Sequence, residues 1–303
     1  MKNKRGSSET TREAFCFDLY FQYKPQHKNI IKIQFLEWFI GFSEGDCTFH
    51  TWVDRGKKRA GFTIDQQDCK VLYWIKKELG FGRVLACKKG WRFQVWDKRG
   101  LLRLYCIFYG NLVLNKRHLK FQKYTNFLIF PTDFSIPITS CNQAAKNTLS
   151  GSNFISLDNA WLAGFWQADG GFYAWAKFDL THIILRAYIT QKAEAAALQQ
   201  IAIVIHGNEK TPLGVRFYRT LSILENKKTK TQYNRVEFAS QACLLQIFFY
   251  FKKFVLVGEK KRTFLRWKRI WEIREKIKNN EIIVTEKSIR KLKRLISATK
   301  KTK

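Results

Sequence analysis

Two aspartates stand at matching places in this 303-residue chain. Asp46 falls in the string FIGFSEGDC (Phe39–Cys47) and Asp169 in LAGFWQADG (Leu162–Gly170). Both strings run Gly-Phe, two variable residues, a small residue, then the acid, with the two aspartates 123 positions apart. The segments before them, Leu36–Gly45 and Ala160–Ala168, are apolar nearly all round and read as buried helices. Each acid therefore stands at a helix carboxyl end, where the macrodipole is negative and disfavours an anion. Two such anions brought together repel further. A divalent cation would relieve both penalties, taking hard carboxylate and carbonyl oxygens as ligands. A single aspartate after a helix is ordinarily a turn residue; recurrence at matching places in a duplicated unit points to function.

The elements that must position these acids also recur. Gly41 and Gly45, and Gly164 and Ala168, place small residues four apart on one face of each helix. That spacing lets two backbones approach, so the copies are expected to pack along a self-complementary seam. Strands are predicted at Thr48–Asp54 and Arg59–Gln66, and again at Phe172–Asp179 and Ile184–Gln191. Amphipathic helices follow at Asp68–Leu79 and Lys192–His206, each stopping at a glycine, Gly80 or Gly207. Further strands are predicted at Arg83–Lys88, Trp91–Asp97, Val215–Leu224 and Tyr233–Ser240, and helices then close each half. The chain divides into an extension (1–34), a first half (35–130), a Pro/Ser/Thr-containing linker (131–157), a second half (158–278) and a basic extension (279–303).

Fifty-five lysines and arginines against 24 acids give a formal charge of +31. An excess of this size calls for a polyanion, and phosphate backbones are the commonest. An aromatic content of 16% argues against an unfolded basic tail protein, because the rings need a core or bases to stack on. Seven scattered cysteines with no CxxC pair suggest buried thiols in a reducing compartment, and five histidines without ligand spacing argue against structural zinc. No apolar run reaches the length of a membrane span, so no membrane partner is expected; Leu244–Phe251 is closed by Lys252 and Lys253. Glu9 and Glu13 interrupt the basic amino terminus as a transit peptide.

The two motifs, with matching elements downstream of each, resemble the LAGLIDADG homing endonucleases in their single-chain, two-motif form. The resemblance runs from Phe35 to Lys278. It departs at Cys47, where the family has glycine, and at Glu44 and Gln167, which hold a variable earlier acid position. It implies an α+β fold of two pseudo-symmetric αββαββα halves, with antiparallel sheets forming a DNA-binding saddle about a central two-helix interface. It implies that Asp46 and Asp169 coordinate Mg²⁺, with Mn²⁺ able to substitute, assisted by the carbonyls of Gly45 and Ala168. Gln66 and Gln191 would order water near the metal. Lys116 in LNKRH and Lys260 in GEKKR, with Lys261 as the alternative, would support the scissile phosphate.

Alternation along the strands, counted from the aspartates by the same resemblance, assigns a DNA face. The first sheet would present His50, Trp52, Asp54, Arg59, Thr63, Arg83, Lys88, Arg92 and Gln94. The second would present Tyr173, Trp175, Lys177, Arg186, Tyr188, Thr190, Arg216, Tyr218 and Arg235. Such a mixture suits major-groove hydrogen bonding and contacts to thymine methyls. The loop Lys227–Lys230 and the tail Lys287–Lys303 would contact phosphate. The implied activity is metal-assisted cutting of both strands of a long asymmetric DNA target by a monomeric, intron-encoded enzyme of a mitochondrion or chloroplast. Two alternatives fit the same scaffold: a maturase that binds its group I intron RNA, and a DNA-binding protein that has lost cleavage. Intact acids in both motifs favour the nuclease.

Overall fold

The computed structural model describes residues 15–130, 134, 155–177, 182–192, 194–207, 215–222, 231–281 and 285–300, with backbone alone at 215–222, 231, 232 and 300. Apolar residues at nearly every turn make α2 (Ile33–Asp46) a buried helix, preceded by the short α1 (Asp18–Tyr23). The chain leaves α2 directly into β1 (Cys47–Asp54), then β2 (Lys57–Gln66), α3 (Cys69–Leu79), β3 (Arg83–Cys87) and β4 (Gly90–Val95). Helices α4 (Lys98–Phe108) and α5 (Asn115–Thr125) complete the half. The same order returns in α6 (Trp161–Asp169), β5 (Gly170–Ala176), β6 (Ile183–Lys192), α7 (Ala195–His206), β7 (Val215–Ser222) and β8 (Thr231–Phe238). It ends in α8 (Gln241–Lys253) and α9 (Gly258–Lys278).

Each half forms a four-stranded antiparallel sheet, ordered β1-β2-β4-β3 and β5-β6-β8-β7. Helices α3 and α7 end where the glycines predict, at Gly80 (φ 76°) and Gly207 (φ 72°) in the left-handed conformation. One face of each sheet packs on helices. Phe49 meets Phe62, Phe108, Phe121 and Tyr124, its ring centroids 4.9–5.7 Å from theirs. In the other half Phe172 takes the same place against Trp166, Phe251, Phe264 and Trp267.

Two segments outside the repeat join this core. Phe15, Phe17, Leu19 and Tyr20 are buried, and Asn111 accepts the Cys16 N–H at 2.9 Å while donating to its carbonyl at 2.7 Å. After the second half, α10 (Glu286–Lys300) packs on α9 and β5, burying Leu292, Ile296 and Thr299 and turning Lys287, Arg290, Lys291 and Arg294 outward. No helix among the described residues is long and apolar enough to cross a membrane.

Candidate active site and nucleic-acid interface

The two motif helices touch through backbone. A methyl group on Gly41 would overlap the Trp161 carbonyl, and one on Gly164 would overlap that of Trp38. One on Gly45 would collide with Ala168 and lie 2.8 Å from Asp169 Oδ2. Trp38 stacks on Phe42 at 4.8 Å and Trp161 on Phe165 at 4.9 Å, flanking the seam in equivalent places. With the backbones in contact, the last residues of α2 and α6, Asp46 and Asp169, come to the same end of the seam.

Each acid is held by a strand glutamine. Gln66 Nε2 donates to Asp46 Oδ2 at 2.6 Å, and Gln191 Nε2 donates to Asp169 Oδ2 at 2.8 Å. The Gln191 side-chain oxygen Oε1 accepts the Lys192 N–H at 2.9 Å. Lys260 is largely buried, donates to the Gly170 carbonyl, and acts electrostatically on both aspartates. Lys116 is exposed, beside Lys120, Arg117, Glu194 and Lys192, and does not act on either acid. The residue matching Lys260 is Arg117, the third of α5 as Lys260 is the third of α9. Its guanidinium donates to the carbonyls of Glu44, Gly45 (2.5 Å) and Cys47 (2.7 Å), closing the carboxyl end of α2. Lys261 is exposed.

Burial pushes the Asp46 carboxyl above the usual range, against Gln66, Lys260 and Arg117. Asp169 is pushed up to about 7, first by burial and then by the charge of Asp46, with Arg117, Lys260 and Gln191 opposing. Burial lowers the Lys260 ammonium while both acids hold it up. Two adjoining carboxylates, each disfavoured as a bare anion, fit a divalent cation. No group of three His, Cys, Asp or Glu among the described residues could hold a metal. The donor set is thus two carboxylates completed by carbonyl, water or phosphate oxygens, which suits a hard cation better than zinc. The Gly45 carbonyl already accepts from Arg117 and is the weaker candidate beside Ala168. A cleft of about 710 Å³ opens next to the pair, lined by Gln66, Ala168, Gly170, Tyr188, Lys260 and Thr299.

Three supporting features lie outside the sequence expectations. Glu44 is wholly buried and accepts N–H groups of Val113 (2.8 Å) and Leu114 (2.6 Å) and the Trp161 indole (2.6 Å). Burial pushes it up to about 7 against these donors. Gln167, its counterpart, exchanges hydrogen bonds with the Val257 backbone at 2.9 and 3.3 Å. This motif position therefore ties each motif helix to the start of its half's last helix. The third feature crosses between halves. Asp68 caps α3 through the Lys70 N–H (3.0 Å) and also accepts the Glu259 N–H (2.8 Å) at the start of α9. Glu194 likewise accepts the Lys116 N–H at the start of α5. Gly258 (φ 60°) permits the close approach, since a methyl group there would overlap Asp68.

Strand pairing tests the expected DNA face. Thr63 pairs with Thr48 and Gln94, Arg92 with Asp65, Trp52 with Arg59 and Arg83 with Gln94. His50, Trp52, Asp54, Arg59, Arg83, Arg92 and Gln94 therefore share the face turned from the helices. Two expectations are corrected. Lys88 lies in the β3–β4 turn, because β3 ends at Cys87. Thr63 shares the face but is only 2% exposed, covered on that side and 2.8 Å from His50 Nε2. In the second half Tyr173, Trp175, Arg186, Tyr188, Thr190 and Arg235 share one face. Positions 216 and 218 pair with Glu237 and Arg235 on that face, their side chains lying outside the described residues. Lys177 follows β5, its N–H bonded to the His182 carbonyl at 2.9 Å. Residues 227–230 also lie outside the described residues. Unexpected members are Asp65, which pairs with Arg92 at 2.7 Å, and Glu237, which holds Arg186 at 3.1 Å and Arg235 at 2.8 Å.

No family model matches the chain. Among curated proteins it is 28% identical over 285 residues to a probable intron-encoded endonuclease of Neurospora crassa, covering 91% of this chain. The chain spans 45% of that relative's length. It is 27% identical over 177 residues, 54% of this chain and 25% of the relative, to the intron-encoded RNA maturase bI4 of Saccharomyces cerevisiae. The LAGLIDADG homing endonuclease I-GzeII, solved with its DNA target, superposes with a TM-score of 0.60 at 16% identity, over 88% of this chain and 97% of that one. I-SmaMI, bound to uncleaved DNA with calcium ions, superposes with a TM-score of 0.60 at 14% identity, over 88% and 98%. The chain thus has the fold of the LAGLIDADG homing endonucleases, with two motif helices in one chain.

Proposed function

We propose that the chain is a site-specific DNA endonuclease that cuts both strands of an asymmetric target through hydrolysis assisted by Mg²⁺. The observation that carries this is the matched pair, Asp46 on Gln66 and Asp169 on Gln191, at the end of the seam between the two motif helices. Asp46 and Asp169 would hold the cation, which supplies an acidified water and charge stabilisation for phosphate oxygens. The two glutamines hold the carboxylates through Oδ2, at 2.6 and 2.8 Å. The buried Lys260 ammonium offsets charge developing on phosphate, and Arg117 holds the end of α2 so that Asp46 keeps its place. Unlike sheet faces in the two halves imply unlike half-sites, read by one monomer. Relatives named as intron-encoded support an origin in an intron.

The test is linearisation of a plasmid carrying the intron-free junction, with Mg²⁺ and with chelator. Asp46→Asn and Asp169→Asn are expected to abolish double-strand cutting and to preserve binding. Binding without cleavage in Mg²⁺ would overturn the reading. Likeness to a maturase supports a second reading, in which the same basic surface binds group I intron RNA. Splicing stimulation that persists in Asp46→Asn would be its mark.

A further inference from the structure

We infer that Trp96 and Arg186 occupy equivalent ground on the two sheet faces and set opposite base preferences there, thymine for the first half and guanine for the second. The inference rests on the endonuclease reading only in taking duplex DNA as the ligand. Equivalence follows from strand pairing. Gln66 and Gln191 each hold their half's aspartate, and His50 and Tyr173, four residues after those acids, pair with Gly61 and Arg186, so Gly61 corresponds to Arg186 and Thr63 to Tyr188. Thr63 pairs with Gln94 and Tyr188 with Glu237, so Trp96, two residues beyond Gln94, corresponds to Ala239. Asp97 and Ser240, the next residues, each cap the following helix, which confirms the register.

Large and small residues are therefore exchanged between the halves. In the first, the Trp96 ring lies across Gly61, where even a methyl group would overlap it. His50 flanks it at 5.6 Å and Trp52 meets it edge-on at 5.6 Å. His50 is itself fixed by Thr63 at 2.8 Å. Trp52 and Trp96 remain 41% and 42% exposed, so the patch offers a rigid apolar surface to whatever lies on the sheet. In the second half the same spot carries the Arg186 guanidinium, aimed by Glu237 at 3.1 Å. Glu237 also holds Arg235, which stacks on Tyr188 at 3.8 Å. A flat apolar surface in a major groove gains from the C5 methyl of thymine, whereas an aimed guanidinium matches O6 and N7 of guanine.

The test is enrichment of bound sequences from a randomised duplex pool under non-cleaving conditions, followed by binding to single duplexes. Wild-type protein is expected to enrich a thymine in the first half-site and a guanine in the second. Uracil in place of that thymine should weaken binding about fourfold, the worth of one buried methyl group. Trp96→Ala should lose both the preference and the uracil effect at that position alone, and Arg186→Ala should relax the guanine. The triple replacement Gly61→Arg, Gln94→Glu, Trp96→Ala should move the first-half preference to guanine. The uracil comparison uses unaltered protein and so does not depend on a variant folding. Indifference of wild-type protein to uracil, or an unchanged profile for Trp96→Ala, would overturn the inference and leave the endonuclease reading standing. Wild-type protein that enriches no duplex would overturn both.

Discussion

Replacing Asp169 by asparagine removes a charge that the metal-free protein bears at a loss, and so is expected to stabilise it at neutral pH. The carboxyl is pushed up to about 7 from an ordinary 3.8 by burial and by Asp46. A pKa raised in the folded state means that folding favours the protonated form. The penalty is absent below about pH 4, grows as pH rises towards 7, and is constant above. Three pH units correspond to about 4 kcal/mol. Asp169 keeps some contact with solvent, which brings the expected gain to about 2 kcal/mol. Asparagine can still accept from Gln191, so that hydrogen bond is kept, and the attraction of Arg117 and Lys260 is already counted in the net upward shift. Glu44, raised in the same direction, is present in both proteins and cancels in the difference. In chelator, urea midpoints for Asp169→Asn and wild type should coincide near pH 4 and separate by about 2 kcal/mol at pH 7.5. At ten times its Kd, Mg²⁺ should restore about 1.4 kcal/mol to wild type and much less to the variant. A variant less stable than wild type at pH 7.5, or a difference independent of pH, would refute the reasoning.

Arg117→Ala should destabilise by about 2–3 kcal/mol, since three carbonyls at the end of α2 lose a charged donor, with Arg117→Lys restoring part in the same unfolding assay. Gly164→Ala forces a methyl group onto the Trp38 carbonyl and should lower stability by about 2–3 kcal/mol, read from the urea midpoint. Asp68→Ala removes a cap from α3 and another from α9, which predicts a loss of about 1–2 kcal/mol. In a plasmid assay the same variant should cut more slowly, because Lys260 acts on both aspartates.

The motif acids, the repeat order and the glycine stops were legible because each is a local pattern: apolar helix into aspartate, alternation, then glycine in the left-handed region. Gln66 and Gln191 could be placed because each stands at or next to the end of its half's second strand. The cation supporting the first half could not. LNKRH offers neighbouring cations, and only the helix register shows that Arg117, not Lys116, faces inward. No strand pattern marks Trp96, which stands just past β4, where alternation gives way to a helix cap. The amino-terminal segment looked separate from the repeat, yet Phe15, Phe17 and Tyr20 fill the first half's core through contacts far along the chain. The Asp68 cap on Glu259 spans 191 residues, and nothing local marks it beyond an acid two places after a glutamine.

That exchange of caps bears on how such a chain can be inherited and recombined. Each half lends the other the acid that seats its final helix, and with it the cation beside the acids. Neither half is then a portable cassette. A hybrid joining one half to a foreign one must bring Asp68 with a glycine at 258, and Glu194 with a matching start of α5. Lineages that shuffle halves should keep these pairs together even where the DNA-facing residues diverge freely. Hybrids that break a pair should fold with intact sheets but a displaced cation, binding their targets without cutting both strands.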